Sequence, residues 1–227
     1  MAGRREKWKN WLKGIEFDLS LQVMNRQIFT EVDGLSKDYP KSLLFQWWLV
    51  SNYLASCLMV VRRHLDTRRD SASLRKLLED MRKNPDEITR NSFVKEYVGA
   101  KGEATRSFAE DLFDKLAGPG QNHVPTKRIE TDLSKLVNKK ITTLVNKYVA
   151  HWNPVETSIP PPELDVTPED LNACMDLMVD LFDRYEHLLL GPNYKGRIGH
   201  PAPLAPDLKD ELKKVWSSAI TGAKWGR

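Results

Sequence analysis

The sequence predicts an all-α fold: a helical bundle with additional N- and C-terminal helices. Three observations carry it. Apolar residues recur at helical spacing in almost every segment between breakers. No stretch alternates apolar and polar long enough for a strand. Helix start and stop signals punctuate the chain, clearest in Thr167-Pro168-Glu169-Asp170 and in Gly191 after an apolar run.

The first helix is expected from about Lys7 to Val32, with Trp8, Trp11, Leu12, Ile15, Leu19 and Val23 on one face. Pro40 breaks it. A second helix from about Ser42 to Asp66 is apolar nearly all round and is therefore expected at the centre, with Trp47 and Trp48 in the core. Ser71 or Ser73 caps a short helix in the stretch "SLRKLLEDMRK" (73–83). Asn84 then caps the next, with Pro85 at its first position, and that helix is expected to reach Tyr97 before Gly99. Another covers Ala104–Leu116 and ends at Gly118-Pro119-Gly120. A long helix is expected from Thr126 to His151, then an extended proline-rich stretch. The Thr167 cap starts a helix that Gly191 closes. After a Gly/Pro-rich loop, a last amphipathic helix starts near Asp207. The expected organisation is an N-terminal helix (1–35), a helical bundle (36–195) and a C-terminal loop and helix (196–227).

Composition narrows the function classes. With 41% hydrophobic and 29% charged residues among 227, the chain can bury a core. A net charge of +4 permits an anionic partner without demanding one, since the sequence shows no concentrated basic patch. Two cysteines, Cys57 and Cys174, make no disulfide framework and point to a reducing, cytoplasmic setting. The basic start lacks the apolar run of a secretory signal. Residues 43–61 are long enough to span a bilayer, but Gln46, Ser51, Asn52 and Ser56 favour a bundle helix, so no membrane is expected. There is no phosphate-loop glycine motif, no histidine pair spaced for a metal and no CxxC, so no cofactor is expected.

The stretch "NKYVAHWNP" (146–154) closes the long helix with His151. Two readings of that imidazole stand side by side: a proton-transfer group, or a cation closing a helix C-terminus. Arg62, Arg63 and His64 end the second helix, either lining a site or favouring its negative end, and Asp66 is placed to pair with one of them. Trp8 and Trp11 stand among Arg4, Arg5, Lys7, Lys9 and Lys13, as in single-strand binders or as in any amphipathic helix.

Two stretches, "VVRRHLDTRRDSASLRKLLEDM" (60–81) and "LVNKYVAHWNP" (144–154), together resemble the HEPN superfamily of helical domains, most of all its U-type abortive-infection (AbiU-like) branch. The resemblance covers about residues 40–190. It implies a role in bacterial anti-phage defence or in a toxin–antitoxin type system, with RNA as substrate or ligand. Active members of the superfamily cut RNA without a metal, using an arginine, usually followed by a polar residue, and a histidine downstream. His151 matches the histidine and Asn146 the polar position. The arginine slot holds Val145, and the nearest cation is Lys147, one turn before His151. That departure bears on the chemistry, because arginine neutralises phosphate with a fixed fork and lysine only with a point charge. The expected catalytic set is His151, Asn146 and Lys147, with Arg62, Arg63 and His64 holding RNA phosphate. The resemblance also implies a homodimer and a neutralising antitoxin or other partner protein. The alternative is a non-catalytic module on the same fold that binds a nucleotide or a protein.

Overall fold

The computed structural model describes residues 3–36, 43–68, 71–137, 142–143, 145, 167–196, 198, 207 and 210–214. Among them the architecture is all-α, with one isolated bridge between Thr89 and His123 and no strand. The principal helices are α1 (Arg4–Ser36), α2 (Leu43–Leu65), α3 (Leu74–Lys83), α4 (Arg90–Lys101), α5 (Arg106–Ala117), α6 (Thr126–Leu136) and α7 (Pro168–Leu190).

α1 and α2 form an antiparallel hairpin. Asp18 meets Arg63, Gln22 meets Cys57, and Phe29 stacks on Tyr53 with ring centroids 4.3 Å apart. α7 packs against α1, α2, α5 and α6, so it is the central helix. Its buried Met178, Phe182, Tyr185 and Leu189 follow the 3–4 spacing of a core-facing stripe. This corrects the expectation for α2. Trp48 is 53% exposed and Met59 61% exposed, so α2 is an outer helix with one apolar side towards water. The side chain of Trp47 lies outside the described residues. α1 contributes to the core of the bundle. Trp8, Leu12, Ile15 and Leu19 share one core with α2, α3 and α7.

Local signals explain most boundaries. The Ser73 hydroxyl accepts from the Lys76 N–H at 3.1 Å, choosing Ser73 over Ser71 as the α3 cap. At "NPDE" the expectation needs correction. Pro85–Glu87 is a single 3-10 turn, and Ile88 returns to extended backbone. α4 starts afresh from Thr89, whose side chain accepts from the Ser92 N–H while Ser92 accepts from the Thr89 N–H. That reciprocal cap satisfies two orphan donors and outcompetes Asn84. Gly99 then lies inside α4, which stops at Gly102, where φ of +92° suits glycine. The expected long helix from Thr126 to His151 is also interrupted. α6 ends at Leu136, and Val137 leaves helical geometry with ψ near 60°. The apolar row runs straight through Val137, so nothing in the periodicity marks that break. α7 starts and stops as expected, at a Thr167/Asp170 capping box and at Gly191, where φ is +53°.

Both cysteines are free and buried. Among the described residues, no helix is long and apolar enough to cross a membrane.

Candidate nucleic-acid interface

The last turn of α2 carries Arg62, Arg63 and His64. Cys57, Val61 and His64 are spaced i, i+4, i+7, so the turn that buries Val61 also buries His64. Arg62 and Arg63 fall on the opposite side and are exposed. Arg63 donates to the Asp18 carboxylate at 2.5 Å. Arg62 makes no hydrogen bond or ion pair among the described residues, although its charge reaches Asp66.

His64 is fully buried, and neither ring nitrogen has a hydrogen-bond partner. The Asp18 carboxylate is 4.0 Å from its Nε2. Burial pushes the imidazole down to about 4. Asp18 offsets part of that shift, and Arg63 adds to it. At neutral pH this ring is uncharged and out of reach of solvent. The structure therefore divides the trio: two guanidiniums face outward and the imidazole faces the core. The spacing from Cys57 and Val61 was the sequence signal for that division.

Asp66 pairs with neither neighbouring arginine. It accepts from the Arg68 backbone N–H at 2.9 Å and from its Nε at 2.8 Å, and these bonds hold its carboxyl below the usual range. Lys76 donates to the carbonyls of Arg68 at 2.7 Å and Ser71 at 3.0 Å, tying the turn before α3 to that helix. Trp8 and Trp11 also separate. Trp8 is in the core, and its indole N–H donates to Asp80 at 2.9 Å. Burial alone would raise the Asp80 carboxyl, but the bonds from Trp8 and Lys7 outweigh it and hold the group low. Trp11 is half-buried between two ammoniums, Lys7 at 4.5 Å and Lys76 at 5.1 Å from its ring centre. Cation–π attraction of this kind fixes cations beside an aromatic face. Along α1, Lys7, Trp11 and Asp18 lie on one azimuth, so this cluster and the Arg63–Asp18 pair share the side of α1 that meets α2 and α3.

Asn146, Lys147, His151 and Trp152 lie outside the described residues. Val145, at the position where the resemblance would put the arginine, is described and is 2% exposed. An arginine at that place in this fold would have to bury its charge.

Two further polar clusters organise α7. Asp132 of α6 accepts from Arg184 at 2.7 Å and from the Tyr185 hydroxyl at 2.9 Å. At the C-terminal end, His187 stacks on Tyr194, and its Nε2 is 2.9 Å from the Tyr97 hydroxyl, which itself donates to the Gly191 carbonyl at 3.2 Å. With the tyrosine proton on Gly191, the His187 Nε2–H donates to the tyrosine oxygen. Burial lowers the His187 pKa, which favours that neutral form. This cluster secures the helix end. Among the described residues, no three His, Cys, Asp or Glu side chains gather as a metal site.

His64 gives a pH prediction. Its folded-state pKa is below the unfolded value, so its stabilising contribution is present above pH 6.5 and is lost as pH falls towards 4. Glu186 acts the other way. Burial, then Glu16 and Asp183, push it up to about 7, so its contribution is lost as pH rises from 4.5 to 7. In Glu186→Gln, His64 is expected to lower stability by about 3 kcal/mol between pH 6.5 and 4, and in Glu186→Gln/His64→Leu that share of the slope disappears. Equal urea midpoints for the two variants across this window would refute the assignment.

Among the described residues, the all-α bundle is consistent with a HEPN-like helical domain. The chain belongs to the AbiU2 family of HEPN domains, whose family model matches residues 5–214. It is accordingly an abortive-infection HEPN-type protein. No curated protein and no solved structure matches it.

Proposed function

We propose that this protein acts on RNA in anti-phage defence, holding phosphate with the outward arginines of α2 and carrying out any cleavage through His151. Family membership over residues 5–214 is the observation that carries this reading. Arg62 and Arg63 supply the fork geometry that phosphate favours, from a solvent-facing turn. Phosphate would compete with Asp18 for Arg63. His151 would transfer the proton of the attacking 2′-hydroxyl near neutral pH, with Lys147 and Asn146 steadying phosphate, in a metal-independent cleavage. His64 is left out of RNA contact because its ring is enclosed.

A second reading has its own observation. Val145 is buried where the motif needs a cation, which favours a non-catalytic module that binds RNA, a nucleotide or a neutralising protein partner.

Purified wild type, His151→Ala and Arg62→Ala/Arg63→Ala separate the two with labelled RNA in EDTA. The nuclease reading expects cleavage by wild type only and binding by His151→Ala, with at least tenfold weaker binding by the double arginine variant. Binding without cleavage, equal in wild type and His151→Ala, supports the module. RNA affinity unchanged by the arginine substitutions would remove Arg62 and Arg63 from the interface.

A further inference from the structure

Asp18 faces two consecutive residues of α2. Ile15 and Leu19 of α1 are buried, and Asp18 stands at the rim of that stripe with its side chain 12% exposed. One carboxylate oxygen, Oδ1, accepts from Arg63 at 2.5 Å. The other, Oδ2, is 4.0 Å from the His64 Nε2, too far for a hydrogen bond. The Arg63 side chain reaches out of the bundle, 62% exposed, and the His64 ring is enclosed. Among the described residues, nothing bonds either ring nitrogen of His64. A buried polar group left unsatisfied costs stability, so its retention calls for an explanation.

The explanation lies in what becomes of Asp18 when Arg63 leaves it. A carboxylate presents two oxygens to a guanidinium much as a phosphate does, so the two acceptors compete for one fork. Losing Arg63 to phosphate strands a mostly buried anion, which is costly unless another donor takes it. Burial pulls the His64 pKa down to about 4, so near neutral pH the ring is uncharged and carries one N–H. With that proton on Nε2, a shift of about 1 Å brings Oδ2 into hydrogen-bond range. While Arg63 is present it keeps the carboxylate, because its charge and its fork both outmatch a neutral imidazole. We propose that Asp18 is an autoinhibitory stand-in for phosphate on Arg63, and that His64 receives it when RNA takes the guanidinium. The exchange moves one carboxylate and no proton. His64 is a positioning residue: it never touches RNA, and its open Nε2–H lowers the cost of uncovering Arg63. This gate deepens the reading of Arg63 as a phosphate contact and rests on it.

Two measurements on the full chain test the gate, the first without RNA. In nitrogen-correlated NMR spectra near neutral pH, the His64 Nε2–H is expected to move downfield and exchange more slowly in Arg63→Ala, where Asp18 is free to turn. In Asp18→Ala/Arg63→Ala that change disappears. A His64 signal unmoved by Arg63→Ala, or moved equally in the double variant, overturns the handover. The second measurement is affinity for a labelled single-stranded RNA in EDTA. Asp18→Asn is expected to bind about fivefold more tightly than wild type, the scale of one surface ion pair, and to gain nothing in an Arg63→Ala background. His64→Leu is expected to bind about fivefold more weakly, because the displaced carboxylate has no receiver, and the loss vanishes in Asp18→Asn/His64→Leu. A merely structural His64 would weaken binding equally with and without Asp18, and that result overturns its role as receiver. RNA bound equally by wild type and Asp18→Asn overturns the gate and leaves the RNA reading standing. RNA bound by no variant overturns both.

Discussion

Trp8→Ala is expected to lower the unfolding free energy by about 4 kcal/mol, the upper range for deleting a large buried aromatic. Three losses combine. The indole is fully buried, so its removal opens a cavity under the N-terminal turns of α1. The Asp80 carboxylate, 22% exposed, loses its bond from the indole N–H and keeps Lys7 as a partner at 3.3 Å. α1 is also loosened from α3, which it touches at few places. Trp8→Phe separates these losses, because it keeps most of the volume and removes the donor. It is expected to cost about half as much. Urea unfolding reads both variants as midpoint shifts at constant slope. A loss under about 1 kcal/mol for Trp8→Ala would show that the first turns of α1 do not belong to the cooperative core.

The second large effect is expected at Asp132, which is 3% exposed. Asp132→Ala should cost about 4 kcal/mol, the scale for removing one partner of a buried charged pair. Its Oδ2 accepts from both Arg184 and Tyr185, so one substitution leaves a guanidinium and a hydroxyl unpaired. Burial and then the Asp132 charge push the Tyr185 hydroxyl well above its ordinary pKa, so it keeps its proton and acts as a donor. Tyr185→Phe removes a donor without orphaning a charge and is expected to cost only about 1 kcal/mol. In Asp132→Ala/Tyr185→Phe the added cost of the second change should nearly vanish, since the two groups share one bond. Additive costs would mean that the contact does not couple α6 to α7.

The same two helices show how far the sequence could be read. The α7 start was legible because Thr167-Pro168-Glu169-Asp170 holds its own cap, with acceptor, donor and proline within one turn. Gly191 marked its end for a similarly local reason. The Asp132–Arg184–Tyr185 cluster was not legible. Its members are about fifty residues apart, and each one alone reads as a solvated surface group. The α4 start was misread at Asn84 because two competing caps lay five residues apart and the bridge from Thr89 to His123 favoured the second. At the candidate interface, His64 looked like a third cation. Its spacing from Cys57 and Val61 already placed it inward, and the surrounding apolar side chains removed its charge. Asn146, Lys147 and His151, where the resemblance puts the chemistry, are outside the described residues.

Local chemistry therefore determined the helical class, the caps, the apolar stripe of each helix and the family likeness, because each is written within a turn or two of chain. Tertiary structure alone decided that α7 rather than α2 is central, and which tryptophan is core and which is a platform for cations. Those outcomes depend on which faces meet across the bundle, and burial there is a property of the neighbouring helix, not of the residue's own segment.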